Sequence, residues 1–207
     1  MGEQDPGTTG FFPATVMPDR DWWAALWPDP EGLLAKLGVP RGRSAVDLCC
    51  GDGYFTAPMS RLARPARIYA LDLDAGLVER ARRHVAEQGG GTSVVFVADD
   101  ARNLAASVPE PVGFVLLANT FHGVPDKTAL ARVVSGVLVP GGRFAVVNWY
   151  PLPREKTRVL GEPRGPATEM RISPEQTVES VEPAGFALEG LVDLPPYHYG
   201  AIFARRG

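Results

Sequence analysis

The sequence is short of cysteine, of lysine and of long apolar runs, and each shortage closes off a class of protein. Its 207 residues hold two cysteines, adjacent at Cys49 and Cys50. A bridge between chain neighbours is strained and no third thiol is available, so a disulfide scaffold is excluded. Structural zinc wants four converging ligands, so the pair reads as small residues in a tight turn and no metal is expected. Lysine stands only at Lys36, Lys127 and Lys156, the net charge is −3, and basic residues never cluster beyond a pair. Neither nucleic acid nor a membrane surface is expected as a partner on that charge pattern. No stretch approaches the roughly 18 apolar residues of a membrane span. The opening MGEQDPGTTG lacks the basic region of a signal peptide. A cytoplasmic protein is expected, with residues 1–18 a flexible lead-in and one domain over 19–207.

What is present is ordinary for a globular protein, 45% hydrophobic and 22% charged residues, apart from one stretch. Ser44 to Thr56 reads SAVDLCCGDGYFT. Ala45 to Leu48 is a short apolar run of the buried-strand type, Gly51 and Gly53 supply a tight turn, and Phe55, Met59 and Leu62 switch to helical spacing. Strand, small-residue turn and helix form the cradle that doubly wound α/β domains offer a nucleotide, because a side chain there would block the approach of the ligand. The third glycine of a dinucleotide fingerprint is replaced by Thr56.

The rest of the chain alternates in step. RIYALDL (67–73) is a strand ending at Asp72, 19 residues past Gly53, where open α/β sites place a carboxylate for ribose hydroxyls. Ala75 to Glu87 is a helix with Leu77, Val78, Ala81 and Val85 on one face and His84 on its wet side. The glycines 89–91 lead to a strand over 93–98. Pro111 to Ala118 is a fourth strand, Pro125 to Leu138 a helix, and Arg143 to Trp149 a fifth strand. Tyr150 to Ile172 is rich in Pro, Arg and Gly without clear period, and a long loop of this kind is expected to lie over the crevice as a lid insertion, 150–172. Ser173 and Pro174 open a helix. Strands over 186–194 and 197–205, joined by Pro195-Pro196, predict an antiparallel hairpin at one sheet edge. The expected fold is a three-layer, doubly wound, Rossmann-like α/β arrangement with a mostly parallel seven-stranded sheet and a C-terminal hairpin.

Ahead of the glycine turn stands Asp47, giving acid-x-Cys-x-Gly-x-Gly. With YALDLDAGLVERAR, VVFVADDARNL, FVLLANTFHGVPD and VLVPGGRF, this resembles the class I S-adenosylmethionine-dependent methyltransferases, in particular the small-molecule enzymes of the ubiquinone/menaquinone biosynthesis type. Cys49 stands where that family often has its first glycine. The resemblance runs from about residue 40 to the C-terminus and implies S-adenosylmethionine as cofactor and S-adenosylhomocysteine as product. It implies Gly51 and Gly53, braced by Asp47, for the methionine part, Asp72 for the ribose and Leu73 against the adenine. It further implies Asp100 and Ala101 for the adenine edge and Ala118-Asn119 for the cofactor's amino group. The implied reaction is in-line transfer of a methyl group to a small-molecule acceptor.

The acceptor side carries fewer signals. His122, just past the fourth strand, is the candidate base, with packing around the cofactor as the competing role. Trp22, Trp23 and Trp27 sit at helical spacing in an N-terminal segment, 19–37, as a core anchor or as an aromatic lid favourable to a sulfonium cation. Tyr54, beside the glycine turn, and His198, between Tyr197 and Tyr199, are further candidates to face substrate; alternation would turn both tyrosines to the opposite face. Glu169 and Arg171 in the lid could recognise charge. Two other classes compete: a nicotinamide-dependent oxidoreductase and a non-catalytic cofactor-binding domain. The first is disfavoured by Thr56, the closing hairpin and the lack of a Tyr-x-x-x-Lys pair. No Asn-Pro-Pro-Tyr-like motif follows the fourth strand, and a monomer or homodimer is expected.

Overall fold

A computed structural model describes residues 20–64, 66–89 and 93–207. The expected lead-in 1–18, the helix opening at Asp19 and the turn glycines Gly90 and Gly91 lie outside the described residues. Seven strands form one sheet: β1 (Ala45–Leu48), β2 (Ile68–Asp72), β3 (Val94–Ala98), β4 (Val112–Ala118), β5 (Leu138–Trp149), β6 (Phe186–Leu194) and β7 (His198–Arg205), in the spatial order β3-β2-β1-β4-β5-β7-β6. The first five are parallel, and β7 runs antiparallel between β5 and β6. β1 lies between β2 and β4, so the strand order reverses there and opens a crevice above the carboxyl ends of the strands.

Period-two side chains divide the sheet into two buried faces. Val46, Leu48, Tyr69, Leu71, Val115, Leu117, Phe144 and Val146 pack with α5 (Leu104–Ser107), α6 (Lys127–Val137) and α7 (Pro174–Val181). Ala45, Ile68, Phe114, Leu116, Ala145 and Val147 pack with α1 (Arg20–Leu26), α2 (Pro30–Lys36) and α3 (Thr56–Leu62). On the same side α4 (Ala75–Glu87) sets Ala81 against Cys50 and Ala70. The three layers match the expected fold.

Local chemistry sets the boundaries. Asp29, Asp74, Asp126 and Ser173 cap α2, α4, α6 and α7 through backbone amides, and Ser173 with Gln176 completes a capping box. Because Asp126 is the cap, Pro125 stands outside α6 rather than in its first turn. β5 starts at Leu138, five residues before the expected Arg143, and shifts register against β4 around Pro140-Gly141-Gly142.

Residues 150–172 are ordered, against the expectation of a structureless loop. They contain short helical turns at Arg154–Lys156 and Thr168–Met170 and a two-stranded ribbon pairing Arg158–Val159 with Glu162–Pro163. The order comes from Arg171, which is turned inward and only 5% exposed. Its Nε donates to the Pro166 carbonyl (3.2 Å), Nη1 to that of Leu152 (2.9 Å), and Nη2 to Thr157 Oγ1 (2.9 Å) and the Arg164 carbonyl (3.1 Å). One side chain thus replaces the backbone ladder that this proline-rich sequence cannot form. Arg171 is therefore a clamp and not a recogniser of substrate charge, and Glu169 is exposed.

Candidate active site

The crevice is built from the carboxyl ends of β1, β2 and β4. Past Leu48 the chain turns through Cys49 (φ +57°), Gly51 (φ +56°) and Gly53 (φ +83°). Cys49 adopts the left-handed conformation in spite of its side chain, at a cost on the order of 1–3 kcal/mol; the place a glycine would suit is thus visible in the backbone itself. Gly53 has a second constraint, since a Cβ there would lie 2.9 Å from the backbone of Ala81. Asp47 is buried and accepts from Thr56 Oγ1 at 2.5 Å, which ties β1 to the start of α3. Burial pushes its carboxyl up to about 7. Cys49 and Cys50 have their thiols pushed far up by burial, so neither is a nucleophile at neutral pH.

Asp72 crosses to this turn. One carboxylate oxygen accepts from Gly51 N at 2.8 Å and the other from Asp74 N at 3.0 Å. Burial raises its pKa while these amides pull it back. Beside it Leu73 is 48% exposed, an apolar side chain next in sequence to Asp72. Asp100 caps the short turn that begins at the buried Ala101, accepting from Arg102 N at 2.8 Å and pairing with the Arg102 guanidinium at 2.6 Å, which holds its carboxyl below the usual range. Asp99 is held down by Ser107 and Asn103. Across the crevice, Ala118 ends β4 and Asn119 follows at φ +58° with both side-chain amide atoms buried and unpartnered. Glycine turn, carboxylate, exposed apolar side chain and orphaned amide are brought to one end of the sheet.

The second half of the crevice is aromatic. Trp22, Trp23 and Trp27 are buried, with ring centroids 4.7 Å apart for Trp22–Trp23 and 5.3 Å for Trp23–Trp27. Tyr54 donates to the Trp27 carbonyl at 2.6 Å and fastens α1 to the glycine turn; burial pushes its phenol up to about 12. Arg20 makes a second tie, pairing with Asp52 at 2.7 Å. His198 is fully buried, 4.5 Å from Trp27 and 4.0 Å from Trp149 between ring centroids. Burial holds its pKa well below the ordinary value, with the charges of Arg171 and His122 acting in the same direction.

Two expectations need correction here. Tyr197 and Tyr199 do not share a face: Tyr199 is buried against α7, bonded to Thr177 at 2.6 Å, whereas Tyr197 stacks on Trp149. β7 begins only at His198, so period-two alternation does not reach back to Tyr197. His84 is half-buried rather than solvated, close enough to Arg20 and Asp52 for both to influence its titration.

His122 is 7% exposed, in the turn after β4. Its Nδ1 stands 3.4 Å from Asn148 Oδ1 and its Nε2 is buried without a partner. Burial holds the ring below the ordinary 6.5 and keeps it neutral at physiological pH. With Nδ1 protonated toward Asn148, the free lone pair is on Nε2, the arrangement a general base requires. Asn148 and Trp149 escaped sequence reasoning. The available signal was their position at the end of β5, where alternation turns Asn148 to the face of Tyr199 and His122 and Trp149 to that of the tryptophans. No group of metal-ligating side chains occurs among the described residues.

Residues 45–142, just under half of the chain, match a family described as "Methyltransferase domain". The chain is 34% identical to the ubiquinone biosynthesis O-methyltransferase of Xanthomonas axonopodis pv. citri over 133 residues, 59% of this chain and 54% of that protein. It is 24% identical to the tRNA 5-carboxymethoxyuridine methyltransferase of Escherichia coli K12 over 84% of this chain and 71% of that one. It thus spans about half the length of the ubiquinone relative. A crystal structure of a SAM dependent methyltransferase from Aquifex aeolicus superposes with a TM-score of 0.75 at 22% identity, covering 90% of this chain and 93% of that one.

Proposed function

We propose that this chain, a class I S-adenosylmethionine-dependent methyltransferase in fold and motif, transfers a methyl group to a small-molecule acceptor held between the glycine turn and the tryptophans. The observation that carries the reading is the pairing of Asp72 with the Gly51 amide, opposite an Asn119 amide that has no partner of its own. A buried amide left unpaired costs about 1–3 kcal/mol unless a ligand satisfies it. The residues fit the cofactor in kind. Asp72 keeps acceptor lone pairs for ribose hydroxyls, Leu73 offers an apolar platform, Asp100 and the Ala101 amide stand at the adenine edge, and Asn119 faces a polar group with donor and acceptor.

When bound, S-adenosylmethionine supplies an electrophilic methyl group and its own leaving group. The chain's part is to align the acceptor, exclude water and take up a proton where one must leave. Trp22, Trp23, Trp27 and Trp149 make the water-excluding wall, and segment 150–172 closes over it as a lid. His122 Nε2 is the proton acceptor. A small acceptor is favoured over tRNA because the wall is buried and apolar, and because the net charge of −3 offers no counterpart to a phosphate backbone. A cytoplasmic location goes with this reading; no described helix is long and apolar enough to cross a membrane.

The test is a calorimetric titration with S-adenosylhomocysteine, repeated on Asp72→Ala, with NADH as control ligand. Loss of two charge-assisted contacts predicts affinity weaker by on the order of 10- to 100-fold in the variant. Tighter binding of NADH than of S-adenosylhomocysteine would sink the reading in favour of an oxidoreductase. A screen for S-adenosylhomocysteine release over thiols, phenols, amines and quinol precursors then separates an enzyme from a non-catalytic binding domain.

A further inference from the structure

The chain has three histidines, His84, His122 and His198. His198 is fully buried and neither of its ring nitrogens has a hydrogen-bond partner. It stands in β7 opposite Trp149 of β5 and Leu194 of β6, so paired strands hold it on both sides. The indole of Trp27, directly after α1, covers it with ring centroids 4.5 Å apart. α1 itself has only seven residues, and side chains fasten it at both ends: Arg20 on Asp52, and Tyr54 on the Trp27 carbonyl. The charged neighbours offer His198 no counter-ion. Arg171, from the 150–172 segment, lies 5.0 Å from the Trp149 ring centroid, and Arg164 lies 5.9 Å from that of Trp22. His122, from the turn after β4, acts on His198 in the same direction as Arg171. The acids are engaged elsewhere: Asp52 by Arg20, Glu155 beside Arg171, and the exposed Asp193 of β6 by the Tyr150 hydroxyl. Trp149 already faces one cation, so a second positive charge on the other side of that ring meets repulsion.

We infer that His198 is an acid-sensitive release for α1: a proton on its ring places an unpaired charge between Trp27 and Trp149, and that charge reaches water only when α1 lifts away. A buried charge without a partner is costly, and exposure removes the cost. α1 moves and β7 does not, because a strand paired on both sides can leave only with the sheet. Burial, with the charges of Arg171 and His122, holds the ring well below its ordinary 6.5, so the closed form takes the proton less readily than the open one. The closed form's stability from this group is therefore complete above pH 6.5 and is lost as the pH falls, by up to about tenfold in the closing equilibrium per pH unit. Asp47, buried and titrating at about 7, works in the opposite direction, since the folded state favours its protonated form. Arg20 and Tyr54, which join α1 to the glycine turn, pass the release on to the crevice. The device depends neither on the cofactor nor on the acceptor.

The experiment is amide hydrogen exchange on the full chain between pH 7.5 and 5, with each rate corrected for the intrinsic pH dependence of exchange. Protection of residues 20–27 should fall about tenfold or more from pH 6.5 to 5, while that of β1 and β4 holds. His198→Phe keeps a planar ring and deletes the titration, and should abolish the fall. His84→Gln and His122→Ala should each retain it. Exchange at the histidine ring C2–H of the unmodified chain supplies a reading that needs no variant to fold: the His198 midpoint should lie below 6.5, in the range where residues 20–27 lose protection. Protection unchanged down to pH 5, equal loss in β1 and β4, a fall that persists in His198→Phe, or a His198 midpoint at or above 6.5 would each overturn the inference.

Discussion

The two halves of the crevice are satisfied to different degrees. On the glycine-turn side, Asp47, Asp72, Asp99 and Asp100 all accept hydrogen bonds from neighbours in the chain. On the aromatic side, Trp23 Nε1, Trp27 Nε1 and both ring nitrogens of His198 are buried and unpaired, as are His122 Nε2 and Asn148 Nδ2 on the other face of the sheet. The carboxylates Asp47, Asp72, Asp99 and Asp100 of the first half are held by the chain itself, so their geometry does not wait for a ligand, whereas the Asn119 amide there is left unpaired. The second keeps its hydrogen-bonding capacity in reserve, at a cost in folding free energy that a bound acceptor would relieve. Under the proposed reading, function divides between a preformed cofactor frame and an acceptor wall.

The largest effect should come from the wall. His122→Ala should slow transfer to an acceptor still protonated at the assay pH by about 10²- to 10⁴-fold, with S-adenosylhomocysteine affinity retained. An acceptor already ionised should be transferred at nearly the unmodified rate. Equal losses for both would assign His122 to packing. In the intact protein the rate should hold through neutral pH and fall only on acidification past a pKa below the ordinary 6.5, as the ring gains its proton.

Arg171→Met should come next. It leaves three carbonyls and the Thr157 hydroxyl without their donor and should destabilise the chain by about 2–4 kcal/mol. Amide exchange should accelerate in residues 150–172 before it does in β1 and β4; uniform acceleration would mean that the segment and the sheet open together.

The frame's effect is read as a slope with pH. Asp47 is held near 7 in the folded protein against an ordinary 3.8, so the folded state binds the extra proton. Stability from this group is present below about pH 4 and is lost as the pH rises toward 7. Asp47→Asn keeps an acceptor for Thr56 and should flatten that slope in a melting-temperature series, leaving the acid-side stability little changed. A slope that persists would place its origin elsewhere.

Legibility followed sequence distance. The glycine turn and Asp47 lie within ten residues, and Asp72 follows at the spacing one strand–helix–strand unit imposes, so the frame could be read along the chain. His122 was visible through its place after β4. Asn148, its partner, was not, because the contact spans 26 residues and exists only once β4 and β5 align. The segment 150–172 read as structureless because order came from a single arginine and not from a periodic pattern.

The sequence by itself determined the alternation of strand and helix, the crevice at the carboxyl ends of β1, β2 and β4, and the glycine–carboxylate frame, since local spacing and capping chemistry specify these. Only the tertiary structure decided that Trp22 meets Trp149 and Trp27 meets His198, that Arg171 turns inward, and that Tyr197 parts from Tyr199. Of these, the contacts of Trp22 with Trp149 and of Trp27 with His198 join segments more than a hundred residues apart along the chain. Closing such distances depends on burying apolar surface against the whole sheet, which no local pattern records.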